Sequence, residues 1–362
     1  MANGIGSMGF LEPYAISHQP SAIFMLHRFS KFVAACTVLL ILAGSLVTSH
    51  GAGLSVPDWP TSYGWNMFTF PPSMWVANIW YEHGHRLVAS TVGFLTIILA
   101  IWLWIAEPAR HWLQRLGVIA LAAVIAQGLL GGLTVLYLLP PAVSTAHAGL
   151  AEIFFCLTVA IALFTSPDWK KGYANETSPV SGVDDARLRR LATGTSIAIY
   201  CQILVGATMR HTGAGLAIPD FPLMFGGVIP DHWNAGIAIH FAHRLGAIIV
   251  AAMAIRSAIY IWRSHTDRPE LASPALLLLI LILVQVVLGA STVVSRLQPW
   301  INSFHVVCGA LVLTLSMIIT LRSWRYRFGD VQVRPVGQLS EQGRQAGDVG
   351  DVGQVGQIGP VA

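Results

Sequence analysis

Charge is what this chain has least of. Asp, Glu, Lys and Arg make up 10% of its 362 residues, where a soluble domain carries about 25%. That shortage excludes a protein built of soluble domains. The net charge of +4 leaves no basic face for nucleic acid. Cysteine is scarce as well. Cys36, Cys156, Cys201 and Cys308 all fall within apolar runs and show no metal-ligand spacing, so they read as small buried hydrophobes. None falls in an outer loop, which leaves no disulfide or thiol pair there. The first 26 residues contain no Lys or Arg. They lack the charged start of a secretory signal and the arginines of a mitochondrial transit peptide. The expectation is a bacterial cytoplasmic-membrane protein.

What the chain does have is apolar length. It is 54% hydrophobic, and its runs reach the roughly 20 residues that a bilayer crossing takes. Eight spans are expected, roughly 29–48, 79–105, 113–138, 142–165, 190–209, 236–262, 271–294 and 300–323. Positive charge sets their direction. Arg28, Lys31, Arg110, Arg115, Lys170, Lys171, Arg187, Arg189, Arg190, Arg263, Arg268, Arg322, Arg325 and Arg327 fall on one side, and only Arg210 and Arg296 on the other. Both termini are therefore expected in the cytoplasm. The expected organisation is a cytoplasmic segment 1–28, a four-helix bundle 29–165, a linker 166–189, a second four-helix bundle 190–323 and a disordered tail 324–362. The tail is built of near-repeats of Gly, Asp, Val and Gln, a composition that cannot form a core.

The chain repeats itself. His85-Arg86 is followed 62 residues later by His147, and His243-Arg244 is followed 62 residues later by His305. The two sets are offset by 158 residues, and Gln127-Gly-Leu-Leu-Gly131 matches Gln285-Val-Val-Leu-Gly289 at the same offset. Gly51–Pro60 matches Gly213–Pro222 at an offset of 162, carrying Pro-Asp-Trp-Pro in one copy and Pro-Asp-Phe-Pro in the other. A duplicated module with one histidine pair per copy follows. The histidine-bearing spans of each half start on the outer side, so all four histidines sit at similar depth, within two turns of the outer face.

An ionisable side chain inside a span is costly and needs a partner. Two helices per half, each with one histidine, suit axial ligation of a haem iron from both sides. Interhelical hydrogen bonding explains one membrane histidine more readily than four at repeated spacing. Copper or zinc prefers three or more clustered ligands, and the spacing supplies two per half. Arg86 and Arg244 follow the ligand histidines and are expected to reach either haem propionates or loop carboxylates, which a forked guanidinium suits. Snorkelling to the interface is the alternative.

The halves differ at one point. Glu82 lies three residues before His85, and His240 three before His243, each on the histidine's face of its helix. A carboxylate beside one haem can accept a proton or stabilise a developing cation, although an acid also suits a helix start. One catalytic and one electron-transfer haem follow from this divergence. His83 and His240 are expected to be interfacial, ahead of extra ligands or proton carriers. Trp59 and Phe221 are expected to cap a pocket or join an interfacial belt, and Asp58 and Asp220 to pair with an arginine. Gln127 and Gln285 are expected in helix–helix hydrogen bonds, ahead of quinone binding.

Across residues 25–325 the chain resembles the haem A synthase family. Glu82-His-Gly-His85-Arg86, the two Pro-Asp-aromatic-Pro loops and His147, His243 and His305 carry the likeness. The resemblance implies an all-α integral membrane fold of eight transmembrane helices as two pseudo-symmetric four-helix bundles. It implies oxidation of the ring D methyl group of haem O to a formyl group, giving haem A. It places the substrate haem O between His85 and His147 and a permanent haem B between His243 and His305, with Glu82 as the functional carboxylate. Implied partners are haem O synthase (the farnesyltransferase), cytochrome oxidase assembly, membrane lipid and an unidentified electron acceptor; homo-oligomerisation is left open. Many bacterial members carry an outer-loop cysteine pair that this chain lacks, with Val56 and Ser62 nearby instead. Two rival readings share the four histidines. A di-haem b-type electron carrier predicts ligands near both faces of the membrane, and a non-catalytic haem-handling protein has no need of Glu82.

Overall fold

The computed structural model describes residues 20–171 and 185–329. Most of the expected 1–28 segment, the middle of the 166–189 linker and the tail from 330 onward lie outside the described residues. The described residues hold nine α-helices, three short 3-10 turns and two isolated β-bridges. Eight helices are long and apolar enough to cross a membrane: α1 (Pro20–Ser49), α2 (Ile79–Ala106), α3 (His111–Leu136), α4 (Pro141–Thr165), α6 (Ala186–His211), α7 (Ala235–Ser264), α8 (Pro269–Val294) and α9 (Pro299–Gly329). The short α5 (Pro167–Lys171) follows α4. The chain is a multi-pass membrane protein.

Local chemistry sets the helix ends. Pro141 and Pro269 occupy the first turn of α4 and α8, where a missing N–H leaves no bond unmade. Asn234 caps α7 by accepting from Ile237 N at 2.9 Å. Asp185 caps α6, accepting from Arg187 N at 2.8 Å and Leu188 N at 3.0 Å. Its cap starts α6 at Ala186, inside the expected 166–189 linker. At the other end of the chain α9 continues to Gly329, past the expected boundary at 323.

The outward faces are apolar, with Phe94, Ile101, Ile248 and Leu283 exposed. A lipid-facing surface needs that. Each half has its own core: Val92, Leu99, Leu103, Leu113 and Phe154 in the first, Ile199, Val250, Ile261, Leu271 and Leu313 in the second. In the first half α1 packs on α2 and α4, and α3 packs on the same two helices. In the second, α7 packs on α6 and α8. There α9 closes the ring, with Ser316 Oγ 2.8 Å from Ser196 Oγ of α6 and His305 against Gln285 of α8. The halves meet along α4 and α6, and along α1 and α9, where Ser49 Oγ lies 3.0 Å from Ser303 Oγ. These two seams trade places when α1 is exchanged for α6 and α4 for α9, as a duplicated module requires.

One end of the bundles carries the α1–α2 and α6–α7 loops. Each holds a cis X-Pro bond, at Trp59-Pro60 and Phe221-Pro222. Each closes a small bridge, Ser62 with Trp65 and Met224 with Gly227, through glycines at φ +77° and +80° (Gly64, Gly226) that a side chain would strain. The first loop is longer, adding 3-10 turns at Met67–Thr69 and Pro72–Met74. Here the repeat offset falls from 162 to 158.

The opposite end is tied by charge. Glu107 accepts from Arg110 and Lys170, each at 2.6 Å. Burial pushes its carboxyl up, but these two cations outweigh it and hold the group below the usual range. Asp185 also accepts from Tyr260 Oη at 2.7 Å and lies 2.9 Å from His265 Nε2.

Candidate functional site

Each of the four histidines faces a glycine on the neighbouring helix. A Cβ on Gly44 (α1) would lie 2.9 Å from His85 Cε1, and one on Gly131 (α3) 3.1 Å from His147 Cε1. The second half repeats this, with Gly206 (α6) at 2.8 Å from His243 Cε1 and Gly289 (α8) at 3.0 Å from His305 Cε1. The missing side chain is what admits the ring. All four glycines stand five residues before the end of their helix, about 7.5 Å below the loops at 1.5 Å per residue. The four imidazoles therefore share one level, at the loop end of the bundles.

His243 and His305 face each other with ring centroids 6.4 Å apart and planes at 74°. Two metal–imidazole bonds of about 2.0 Å each, plus the half-widths of two rings, fill that gap. His85 and His147 are close enough to act on each other electrostatically, and the Nδ1 of each is buried without a hydrogen-bond partner. Among the described residues no three His, Cys, Asp or Glu side chains cluster as a metal cage. A pair of imidazoles per half, opposed in the second and with unpartnered Nδ1 atoms in the first, fits a planar metal group that brings its own equatorial ligands, as haem does.

Three of the four histidines are backed by glutamine. Gln127 Nε2 donates to His147 O at 2.9 Å, and Gln202 Nε2 donates to His243 O at 2.6 Å while lying 2.9 Å from its Nδ1. Gln285 Nε2 lies 3.4 Å from His305 Nε2. Gln127 and Gln285 bridge helices, as expected. His85 has no such backing. At the 162 offset, Gln202 corresponds to Leu40, and at the 158 offset Gly246, which admits the Gln202 side chain, corresponds to Val88. Leu40 and Val88 both pack on the first core.

Glu82 is buried one turn above His85. Its Oε1 pairs with Arg86 Nη2 at 2.8 Å and its Oε2 accepts from Val56 N at 2.8 Å. In the second half Ile218 N donates to His240 Nδ1 at 3.3 Å. Glu82 and His240 thus anchor the same point of the two loops, although only Glu82 brings charge. The arginines strap these loops down. Arg86 donates to the carbonyls of Val56, Asp58 and Thr61 at 2.8, 2.7 and 3.0 Å. Arg244 donates to those of Ile218, Asp220 and Leu223 at 3.2, 2.7 and 3.0 Å. Apart from the Glu82 carboxylate on Arg86, their partners are main-chain carbonyls of the loops. The Asp58 and Asp220 carboxylates cap the turns instead: Asp58 accepts from Tyr63 N at 2.7 Å and Gly64 N at 2.9 Å, Asp220 from Phe225 N and Gly226 N at 2.8 Å each. Burial raises the Asp58 carboxyl, yet the turn N–H groups prevail and hold it below the usual range.

His83 is fully buried, not interfacial. Its Nδ1 lies 3.1 Å from Ser62 Oγ, and its ring sits 4.9 Å from Phe70 and 4.6 Å from Trp75, both supplied by the longer loop. His240 is buried too. Trp59 reaches inward, where a Cβ on Gly132 of α3 would lie 2.5 Å from its ring. The cradle glycines Gly44 and Gly206 and the pair Gln202/Leu40 escape a search for histidine spacing. They sit at the 162 offset that relates the loops, so extending that alignment back into α1 and α6 finds them. Glu152, buried on α4 with one oxygen unpartnered, has only Ala310 at the matching position.

Comparison with known proteins matches residues 27–317 to the family described as cytochrome oxidase assembly protein. A Heme A synthase of Symbiobacterium thermophilum is 31% identical over 270 residues, covering 73% of this chain and 84% of that protein. The chain belongs to the haem A synthase family. The Heme A synthase of Geobacillus kaustophilus is 28% identical over 309 residues, 83% of this chain and 94% of that protein. That of Shouchella clausii is 27% identical over 306 residues, 83% of this chain and 98% of that protein. The family match over residues 27–317 covers both histidine pairs, Glu82 and both loops.

Proposed function

We propose that this chain oxidises the ring D methyl group of haem O to a formyl group, giving haem A for terminal oxidases. The single observation that carries the reading is the pair of glycine-cradled histidines in each half, with an acidic residue above only one pair. His85 and His147 would hold the substrate haem O, and His243 and His305 a resident haem B. Oxidising a methyl to a formyl group takes one oxygen atom from water and releases electrons and protons to an acceptor outside the chain, and a haem B held by His243 and His305 would supply one-electron chemistry.

The protein's own part is positioning and charge. The two histidines of the first half orient the substrate porphyrin at the loop end. Glu82 is the acid/base or cation-stabilising group, held ready by Arg86 and Val56 N. To take a proton it has to exchange its Arg86 contact for the substrate edge. The Arg86 strap holds the loop over that edge. The bilayer is the source of the apolar substrate. The setting we infer is the bacterial cytoplasmic membrane with both termini in the cytoplasm. Haem O synthase upstream and an oxidase under assembly downstream are the matching partners.

Pigment extraction from the purified full-length protein, followed by chromatography, tests the reading. Haem B together with haem O or haem A is expected. Haem B alone at two per chain would replace this reading with a di-haem electron carrier.

A further inference from the structure

Gln202, Gly206 and Arg210 stand four residues apart on one face of α6, so they stack turn upon turn. The first holds His243, the second admits its ring, and the third brings a guanidinium about 6 Å further toward the loops. Arg210 is partly buried at the seam between the halves, and close enough to His305 to act on it electrostatically. Its three hydrogen bonds all go to neutral oxygens: Ser45 Oγ at 3.0 Å, Ser45 O at 2.7 Å and Ser49 Oγ at 2.7 Å.

A guanidinium has five N–H donors, so two remain, and among the described residues no carboxylate pairs with it. A cation inside a span is costly, and neutral oxygens do not neutralise its charge. Arg86 and Arg244 follow the ligand histidines directly, but the loop carbonyls engage them. Among the described residues two outer-side cations keep charge to offer, and of these Arg296 is exposed beyond the end of α8 whereas Arg210 is partly buried beside the second histidine pair. The corresponding stripe on α1 is Leu40, Gly44 and Thr48, which keeps the cradle and lacks both the amide and the cation.

We propose that Arg210 is the carboxylate anchor of the second site: it receives a propionate of the porphyrin held by His243 and His305, so that this site retains its haem while the first, with Thr48, can release its own. The fork of a guanidinium matches a carboxylate in a way that a point charge does not. The inference rests on the proposed assignment of haem B to the second half.

The test is binding of haem B and of its propionate dimethyl ester to haem-depleted full-length protein, followed by the bis-histidine optical spectrum. Wild type should prefer the free acid by about tenfold or more. Arg210→Met should abolish that preference while leaving ester binding unchanged, which also reports that the variant is folded. Arg210→Lys should keep part of it, and this variant decides between the outcomes should Arg210→Met not be recovered. Ser45→Ala/Ser49→Ala removes the two hydroxyls among the arginine's three present contacts, leaving the Ser45 carbonyl, and should keep the full preference. An Arg210→Met or Arg210→Lys protein with wild-type preference overturns the anchor. So does a serine double variant that loses as much as Arg210→Met, since the arginine would then be a tie between bundles. Haem B bound without a bis-histidine spectrum in wild type would overturn the haem assignment itself, and the anchor with it.

Discussion

Glu82 and His240 receive the same main-chain N–H at the same point of two duplicated loops, Val56 N at 2.8 Å in one half and Ile218 N at 3.3 Å in the other. The loop-holding duty is therefore common to both, and the charge is not. This separates structure from chemistry at one position. Glu82→His should preserve the loop and the haem B spectrum, yet lower haem A formation by about 10²–10⁴-fold, the usual contribution of a general acid or base. Haem extraction and chromatography read both quantities. Glu82→Ala retaining full conversion of haem O would remove the residue from the chemistry altogether.

The resident haem can be traced to its ligands. His243→Ala and His305→Ala should each lose haem B from the purified protein, whereas His85→Ala should keep it. A pyridine haemochrome assay decides. Unchanged haem B in both second-half variants would refute the assignment.

Glutamine backing is expected to separate a tight site from a loose one. A hydrogen-bonded partner behind a ligating imidazole fixes its orientation, and removing such partners elsewhere costs about 10–100-fold in metal affinity. Gln202→Leu should weaken haem retention in the second half by that order. Leu40→Gln needs the space that Gly246 gives Gln202, so it should be combined with Val88→Gly. That double variant should co-purify with more porphyrin in the first half and turn over more slowly. Equal retention by Gln202→Leu and wild type through repeated detergent washes would end this explanation.

The cradles have a steric test. A methyl on Gly206 would sit 2.8 Å from His243 Cε1, closer than a real side chain tolerates. Gly206→Ala should displace the ring and lower haem B content without changing helix content by circular dichroism. Gly84, where a Cβ meets nothing within 4 Å, is the control and should accept alanine with haem B unaffected.

At the opposite end, Asp185 offers a pH test. Burial raises its carboxyl, but the N–H groups of α6, Tyr260 and His265 prevail and set it at about 2 against an ordinary 3.8. A lowered carboxyl stabilises the fold above its unfolded value and loses that effect as pH falls toward its folded one. Asp185→Ala should cost about 1 kcal/mol as a lost helix cap at neutral pH. The gap between variant and wild-type melting temperatures should narrow between about pH 4 and pH 2. A gap independent of pH would mean that the charge contributes nothing.

The apolar runs, charge bias and paired histidines were enough to define an eight-span membrane protein with a duplicated module, because hydrophobic length and repeat spacing are properties of the chain itself. The four histidines could be placed at one depth for the same reason: helical rise converts residue count directly into distance. Side-chain partners are another matter. From adjacency alone Arg86 and Arg244 had propionates and loop carboxylates in reach; the fold adds main-chain carbonyls thirty residues or fewer away in sequence, and for Arg86 the carboxylate of Glu82. His83 looked interfacial until the longer loop laid Phe70 and Trp75 over it. The cradle of Gly206 and His243, the glutamine that one half has and the other lacks, and the lone charge of Arg210 at the seam all depend on which helices lie side by side. Adjacency between helices is decided by packing of the whole bundle, and no single segment of sequence contains it.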